Sequence, residues 1–306
     1  MKWIAKALVQ KVISGLPYKV AINGFFQQHV TGGVALTDTH FRWKLEAAER
    51  HLTYYRKHVQ EDMSSVDVLE LGSGWYPIVP IAMYLSGVRS ITTIDIYSWG
   101  SQEKLHIALA KYKEWMADGR LKVHLTVDND RWEILCNLHD RHVDVMTFNS
   151  ALNITQYLGD ARSFDYPMKY GFICSNNTLE HIHADVLVGI IDRFHGQLET
   201  GGIMSHLIDL SDHFAHADKT ITHYNFLKYS DQAWRRIDND IQPQNRLRHS
   251  EYLRIYRDLG IDVVETRTWS GAIEDLRSVK VNAKYDRFEE ADLLVSHADI
   301  ISAPAG

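Results

Sequence analysis

The first sixty residues carry a helical rhythm. Trp3, Ile4, Leu8, Val12 and Ile13 recur at helical spacing with Lys2, Lys6 and Lys11 between them. Phe41 to Gln60 repeats the pattern more strongly, and the pair Gly32–Gly33 divides the region in two. The rhythm then changes. Val66 to Leu71 is a short β-type run that ends in Gly72-Ser73-Gly74, and Pro77 to Ser86 reads as a helix. Ser90 to Ile96 is rich in β-branched residues and reads as the next strand. Strand, glycine turn, helix and strand in this order form a βαβ unit, which implies a parallel sheet.

Further along, Ser101 to Asp118 predicts a helix with an apolar stripe of Leu105, Ala108, Leu109, Tyr112, Trp115 and Met116. The pattern from Leu121 to Ala151 is mixed. Strands are expected at Leu152 to Tyr157, Tyr170 to Ser175, Ile203 to Leu210, Val263 to Trp269 and Asp292 to Ile301, with a helix over Ala184 to Leu198. The expected architecture is α/β: a doubly wound, mostly parallel seven-stranded sheet with helices on both faces. Residues 1–60 form a helical N-terminal lid or extension, residues 61–303 the main domain, and residues 211–260 an inserted substrate cap. Lys122 to Val127, followed by Asp128, competes with Leu152 to Tyr157 for the third strand. The latter is preferred because it reaches the fourth strand through a short connection.

Composition narrows the classes of function. A net charge of −6 disfavours a chain whose main task is gripping a polyphosphate backbone, so no nucleic-acid partner is expected. The two cysteines, Cys136 and Cys174, form neither a metal-like spacing nor a disulfide framework, which fits a reducing, cytoplasmic setting. The longest apolar run, Trp75 to Leu85, holds two prolines and is too short to span a bilayer. The N-terminal helix is expected to pack on the body of the protein, with weak attraction to an anionic membrane surface as the alternative. A homo-oligomer is compatible with these features.

The candidate chemistry begins at Val68-Leu-Glu-Leu-Gly-Ser-Gly-Trp75. Glycines at 72 and 74 allow a sharp turn and leave room for a ligand against the backbone. Asp95 ends the next strand, where an acid can accept hydrogen bonds from a ribose. Glu70 stands in an otherwise apolar strand and needs a partner there. A nicotinamide dinucleotide site is disfavoured, since Trp75, Tyr76 and Pro77 leave little room for a diphosphate.

In order along the chain, LELGSGW, TTIDI, YLGDARSF, FICSNNTLEHI and GGIMSHLIDL resemble the motif set of the class I S-adenosylmethionine-dependent methyltransferases. The resemblance covers residues 66–210, and residues 262–303 look like the last two strands of that fold. It implies S-adenosyl-L-methionine as cofactor. Gly72, Ser73, Gly74 and Trp75 would line its methionine part, Glu70 would fix that loop and the amino group, Asp95 with Ile96 would hold the ribose, Asp160 and Ala161 would face the adenine, and Asn176 would lie beside the cofactor.

The implied reaction is methyl transfer to a small-molecule acceptor, with oxygen methylation of a hydroxyl on a sugar, glycoside or other natural product as the leading form. Alternatives are a non-catalytic cofactor-binding sensor or partner subunit, and an RNA or protein methyltransferase. Oxygen methylation calls for a general base. His213 is the leading candidate, with Asp212 beside it, both just past the end of the fifth strand; His206 is a third candidate that also reads as a buried sheet histidine. His206, Asp209, Asp212, His213 and His216 also suggest a metal, but strand alternation sends His206 and Asp209 to opposite faces, so none is expected. The aromatic and polar stretch 221–250 suits an acceptor pocket or a packed cap equally. Phe25, Phe26, Gln27 and Gln28 are expected to contribute to a lid or an oligomer contact.

Overall fold

The computed structural model describes residues 3–16, 35–59, 62–98, 100–239 and 243–304. Gly32–Gly33 and Phe25 to Gln28 lie outside the described residues. Seven strands form one sheet: β1 (Asp67–Leu71), β2 (Ser90–Asp95), β3 (Ile154–Leu158), β4 (Tyr170–Asn176), β5 (Leu198–Asp209), β6 (Asp262–Ser270) and β7 (Val295–Ala303). Their order is β3-β2-β1-β4-β5-β7-β6. The first five pair in parallel, whereas β7 runs antiparallel to both β5 and β6. The sheet is therefore mixed, with one reversed strand.

Helices cover both faces. On one, α1 (Trp3–Ser14) lies apart while α2 (Asp38–His58), α3 (Ile78–Leu85) and α4 (Gln102–Ala117) pack over Val68, Phe172, Ile203 and Ile301. The opposite face, with Leu69, Ile173, Met204 and Ile208, is covered by α5 (Ala184–Gln197) and α6 (His249–Asp258). The alternation of strand side chains thus feeds two cores. α2 starts at Thr37, whose side chain accepts from the His40 amide at 3.2 Å, and ends in Arg56, Lys57 and His58, which suit the negative end of its dipole.

The mixed stretch 121–151 is helical. Short helices span Arg120–His124, Asn129–Asp140 and Val145–Ala151. Asp128 is an N-cap that accepts from the Arg131 amide at 3.0 Å, so the Lys122 to Val127 alternative for the third strand is overturned. The third strand is the one at 154–158.

Within the segment 211–260, α6 belongs to the sheet layer, since Tyr252 and Tyr256 are buried with Leu187 and Ile191. The remainder joins residues 271–294 and α1 in a third core of Trp3, Phe214, Tyr224, Phe226, Trp234, Leu276 and Tyr285. In α1 the buried stripe is Trp3, Ala7, Gln10 and Ile13, while Ile4, Leu8 and Val12 remain exposed. No helix among the described residues is long and apolar enough to cross a membrane.

Candidate functional site

A cavity of about 720 Å³ opens at the carboxyl ends of β1, β2 and β4. Its wall includes Glu70, Gly72, Ser73, Gly74, Trp75, Asp95, Ile96, Asp160, Ala161 and Asn176. The turn after β1 shapes it. Gly72 has φ +91° and a Cβ there would collide with Thr178, while Gly74 at φ +63° faces open space. Both conformations favour glycine. The Gly72 amide donates to Ile94 O at 2.9 Å, which ties the turn to the end of β2.

Two buried polar atoms lack a well-formed hydrogen bond here: Glu70 Oε2, an acceptor, and Asn176 Nδ2, a donor. Burial raises the Glu70 pKa, against the opposing pull of the Lys44 ammonium and of Asn176. His51 sets the amide of Asn176. The amide oxygen can only accept, so His51 Nε2–H donates to Asn176 Oδ1 at 3.2 Å, while His51 Nδ1 accepts from Ser205 Oγ at 2.8 Å. The Asn176 amide donor is thereby turned toward Glu70.

Asp95 Oδ1 accepts from the Tyr97 amide at 3.1 Å. Burial raises its pKa, and the nearby amides of Tyr97, Ser73, Ile96 and Gly74 work against that rise. Asp160 is more committed than its sequence context implies. Its carboxylate binds the Arg162 guanidinium and backbone amide, with Nε at 3.0 Å and N at 2.9 Å, so the side chain is already engaged and Ala161 is the apolar surface beside it.

No protein-family model matches the sequence, and no curated protein matches it. Among solved structures, the chain is similar to 1,6-didemethyltoxoflavin-N1-methyltransferase from Burkholderia thailandensis, with a TM-score of 0.48 and 12% identity over 95% of this chain and 92% of that one. The methyltransferase CcbJ from Streptomyces caelestis gives 0.47 and 13%, covering 86% of this chain and 96% of its own. TehB from Haemophilus influenzae gives 0.43 and 13%, covering 84% of this chain, which spans only 62% of TehB. The strand order is the deciding feature, with its single reversed seventh strand lying between the fifth and sixth. The chain has a doubly wound, Rossmann-like α/β fold.

In this fold, the three expected base candidates fall in different places. His206 is fully buried in β5, with Nδ1 at 2.8 Å from Ser175 Oγ, and it is a sheet histidine. Asp212 is buried and structural: Oδ1 accepts from the Phe214 amide at 2.9 Å and Oδ2 from Asn225 Nδ2 at 2.9 Å. His213 lies behind the cavity wall, its ring 4.7 Å from that of His181. None of the three is among the residues that line the cavity.

His181 does line it. Its Nδ1 lies 2.8 Å from Pro243 O, and a carbonyl only accepts, so the proton is on Nδ1 and Nε2 carries a lone pair. Burial holds this imidazole neutral, with its pKa pushed down to about 3. Sequence reasoning did not place His181 among the base candidates, although its position five residues beyond Asn176 was a usable signal. It also missed that His40, Trp43 and Lys44, one face of α2, form part of the cavity wall.

Proposed function

We propose that this protein binds S-adenosylmethionine in the cavity and transfers its methyl group to a hydroxyl of a small molecule. The observation that carries the reading is the cavity wall itself. It combines a turn at Gly72 where a Cβ would collide with Thr178, a buried carboxylate at Glu70 beside the Asn176 amide and the Lys44 ammonium, and an acid at Asp95. This set suits an amino-acid zwitterion joined to a ribose: Glu70 for the ammonium, Asn176 Nδ2 for a polar neighbour, Asp95 for the ribose hydroxyls. Ile96 and Ala161 offer apolar surface for the adenine.

When bound, the cofactor supplies a methyl group already activated on a sulfonium. The chain's task is then to align the acceptor and exclude water. His181 Nε2 is the proton acceptor on the wall. A hydroxyl becomes strongly acidic as its oxygen takes up carbon, so a neutral imidazole held in place by Pro243 suffices to receive the proton. His213 supports the His181 ring from behind.

Titration calorimetry with S-adenosylmethionine and S-adenosylhomocysteine tests the binding half. Both should bind, and Asp95→Ala should cost about 3 kcal/mol, roughly a hundredfold in Kd, for two lost hydrogen bonds to a charged group. A labelled-methyl screen of hydroxylated small molecules tests the transfer half. There, His181→Ala should lower kcat about a hundredfold with little change in cofactor affinity. Binding of NAD but of neither adenosyl compound would refute the cofactor reading. Binding without transfer to any acceptor would favour a sensor.

A further inference from the structure

Where β5 ends, the chain gathers a second polar cluster behind the cavity. Asp209 Oδ2 lies 3.3 Å from His213 Nε2 and 3.4 Å from His216 Nε2, and Asp209 Oδ1 lies 3.6 Å from His297 Nε2. Glu180 faces the same cluster, and its carboxylate, His181 and His213 bring ligand atoms within 4.8 Å of one another, as do Asp209, His213 and His216. We propose that Asp209, His213 and His216 bind a divalent transition metal of the zinc class, with Glu180 as the adjoining carboxylate.

The distances favour this over an ordinary ion-pair network. A charge-assisted N–H···O bond is about 2.7–2.9 Å long, shorter than either imidazole contact to Asp209. Bonds of about 2.0–2.1 Å in a tetrahedral site separate neighbouring ligand atoms by roughly 3.4 Å, the spacing seen around Asp209. The hydrogen-bond reading also requires both His213 and His216 to donate Nε2–H to the same Asp209 oxygen, at 3.3 and 3.4 Å. Their rings are 5.6 Å apart, with His181 at 4.7 Å from His213 and His223 at 5.7 Å from His216. A cation would instead take the Nε2 lone pairs of two neutral imidazoles, leaving Nδ1 protonated.

Glu180 supplies the second, independent observation. Its side chain is 2% exposed, and neither carboxylate oxygen has a well-formed hydrogen bond; His213 Nε2 is likewise buried without one. An uncompensated buried carboxylate is costly, and a nearby cation relieves it. Access is provided by His216, whose side chain is 53% exposed. Two imidazoles and one carboxylate select a borderline transition metal over magnesium or calcium, which prefer all-oxygen sites. Strand alternation does separate His206 from Asp209, but the ligands beyond Asp209 come from the turn and short helix at 214–217, which alternation does not govern.

The test uses the full chain, dialysed against a chelator and then titrated with Co²⁺. One equivalent should bind, with the visible absorption of a four- or five-coordinate nitrogen and oxygen site, and Zn²⁺ should displace it. His216→Ala, at an exposed position that leaves the core intact, should weaken binding at least tenfold, on the scale of other ligand losses. Asp209→Asn should do the same, with circular dichroism to confirm its fold. His139→Ala, in the separate group of His106, His139 and His142, should change nothing. Failure to bind one equivalent at ~100 μM Co²⁺ would overturn the site. So would unaltered binding by His216→Ala. The spectral readout does not depend on methyl transfer, so either proposal can fail alone.

Discussion

Glu70 shows how one residue can reveal a ligand site. Its neighbours in β1 are the apolar residues Val68, Leu69 and Leu71, all buried, and its partners are the Asn176 amide and the Lys44 ammonium. Those partners offset only part of the cost of burying a carboxylate there. Burial raises its pKa, so the ionised form destabilises the empty protein at neutral pH. Glu70→Gln keeps the shape and removes the charge. The variant should raise the melting temperature of the ligand-free protein, while calorimetry should show cofactor affinity reduced at least tenfold. A lowered melting temperature with full affinity would mean that Glu70 serves the fold and not the ligand. Asp160 gives the opposite lesson: its carboxylate is bound to Arg162, so position alone overstated its freedom.

At the scale of elements, the N-terminal helices divide the work. α2 buries Phe41, Leu45, Ala48 and Leu52 on the sheet and turns His40, Trp43 and Lys44 toward the cavity. α1 instead braces the segment after β5. The Trp3 amide donates to Asp218 Oδ2 at 2.8 Å, and its ring lies 5.5 Å from Phe214 and 5.9 Å from Tyr229. Lys11 Nζ adds contacts to Arg235 O at 3.1 Å and Asp238 O at 2.6 Å. Trp3→Ala should loosen this third core by about 3 kcal/mol, the usual scale for truncating a buried tryptophan. Hydrogen exchange should therefore quicken in residues 211–239 while protection in β1, β4 and β5 stays unchanged. Uniform loss of protection would show that α1 stabilises the whole chain and not this segment.

For the whole molecule, buried neutral histidines make stability depend on acidity. His51 and His206 are fully buried, and burial pushes both pKa values down to about 3, with the His206, Arg50 and Lys44 charges adding to the effect on His51. Asn176 hydrogen-bonds His51 and offsets a part of that shift. In the unfolded chain these imidazoles titrate near 6.5. Between those values the unfolded state binds protons that the native state refuses, so stability falls as pH falls from about 6.5 toward 3. Each histidine contributes a slope of up to about 1.4 kcal/mol per pH unit. Urea denaturation at pH 7.5, 6 and 5 should show that His206→Asn loses less stability than the parent protein as the pH falls. An identical pH dependence in the parent protein and in His206→Asn would contradict the assignment of His206 as a neutral buried imidazole.

Much of this protein was written in local pattern. The β-branched runs with their glycine and aspartate ends located β1, β2 and β4 and the ten residues expected at the cofactor, all of which line one cavity. Such features are legible because the backbone turn and the strand period are properties of consecutive residues. The helices between residues 120 and 151 were less so, because their caps Asp128 and Asp144 carry little weight without the packing of Leu121, Leu135 and Phe148. Which histidine faces the cavity was decided only by the tertiary fold. Whether His181 or His213 meets the cavity depends on how the chain after β4 lies against Pro243, a residue 62 positions away. Likewise, Asp209, His213, His216 and Glu180 become a cluster only because β5 lies beside β4, bringing two separate loops to the same edge. Spacing along the chain carries no record of that meeting; the sheet creates it.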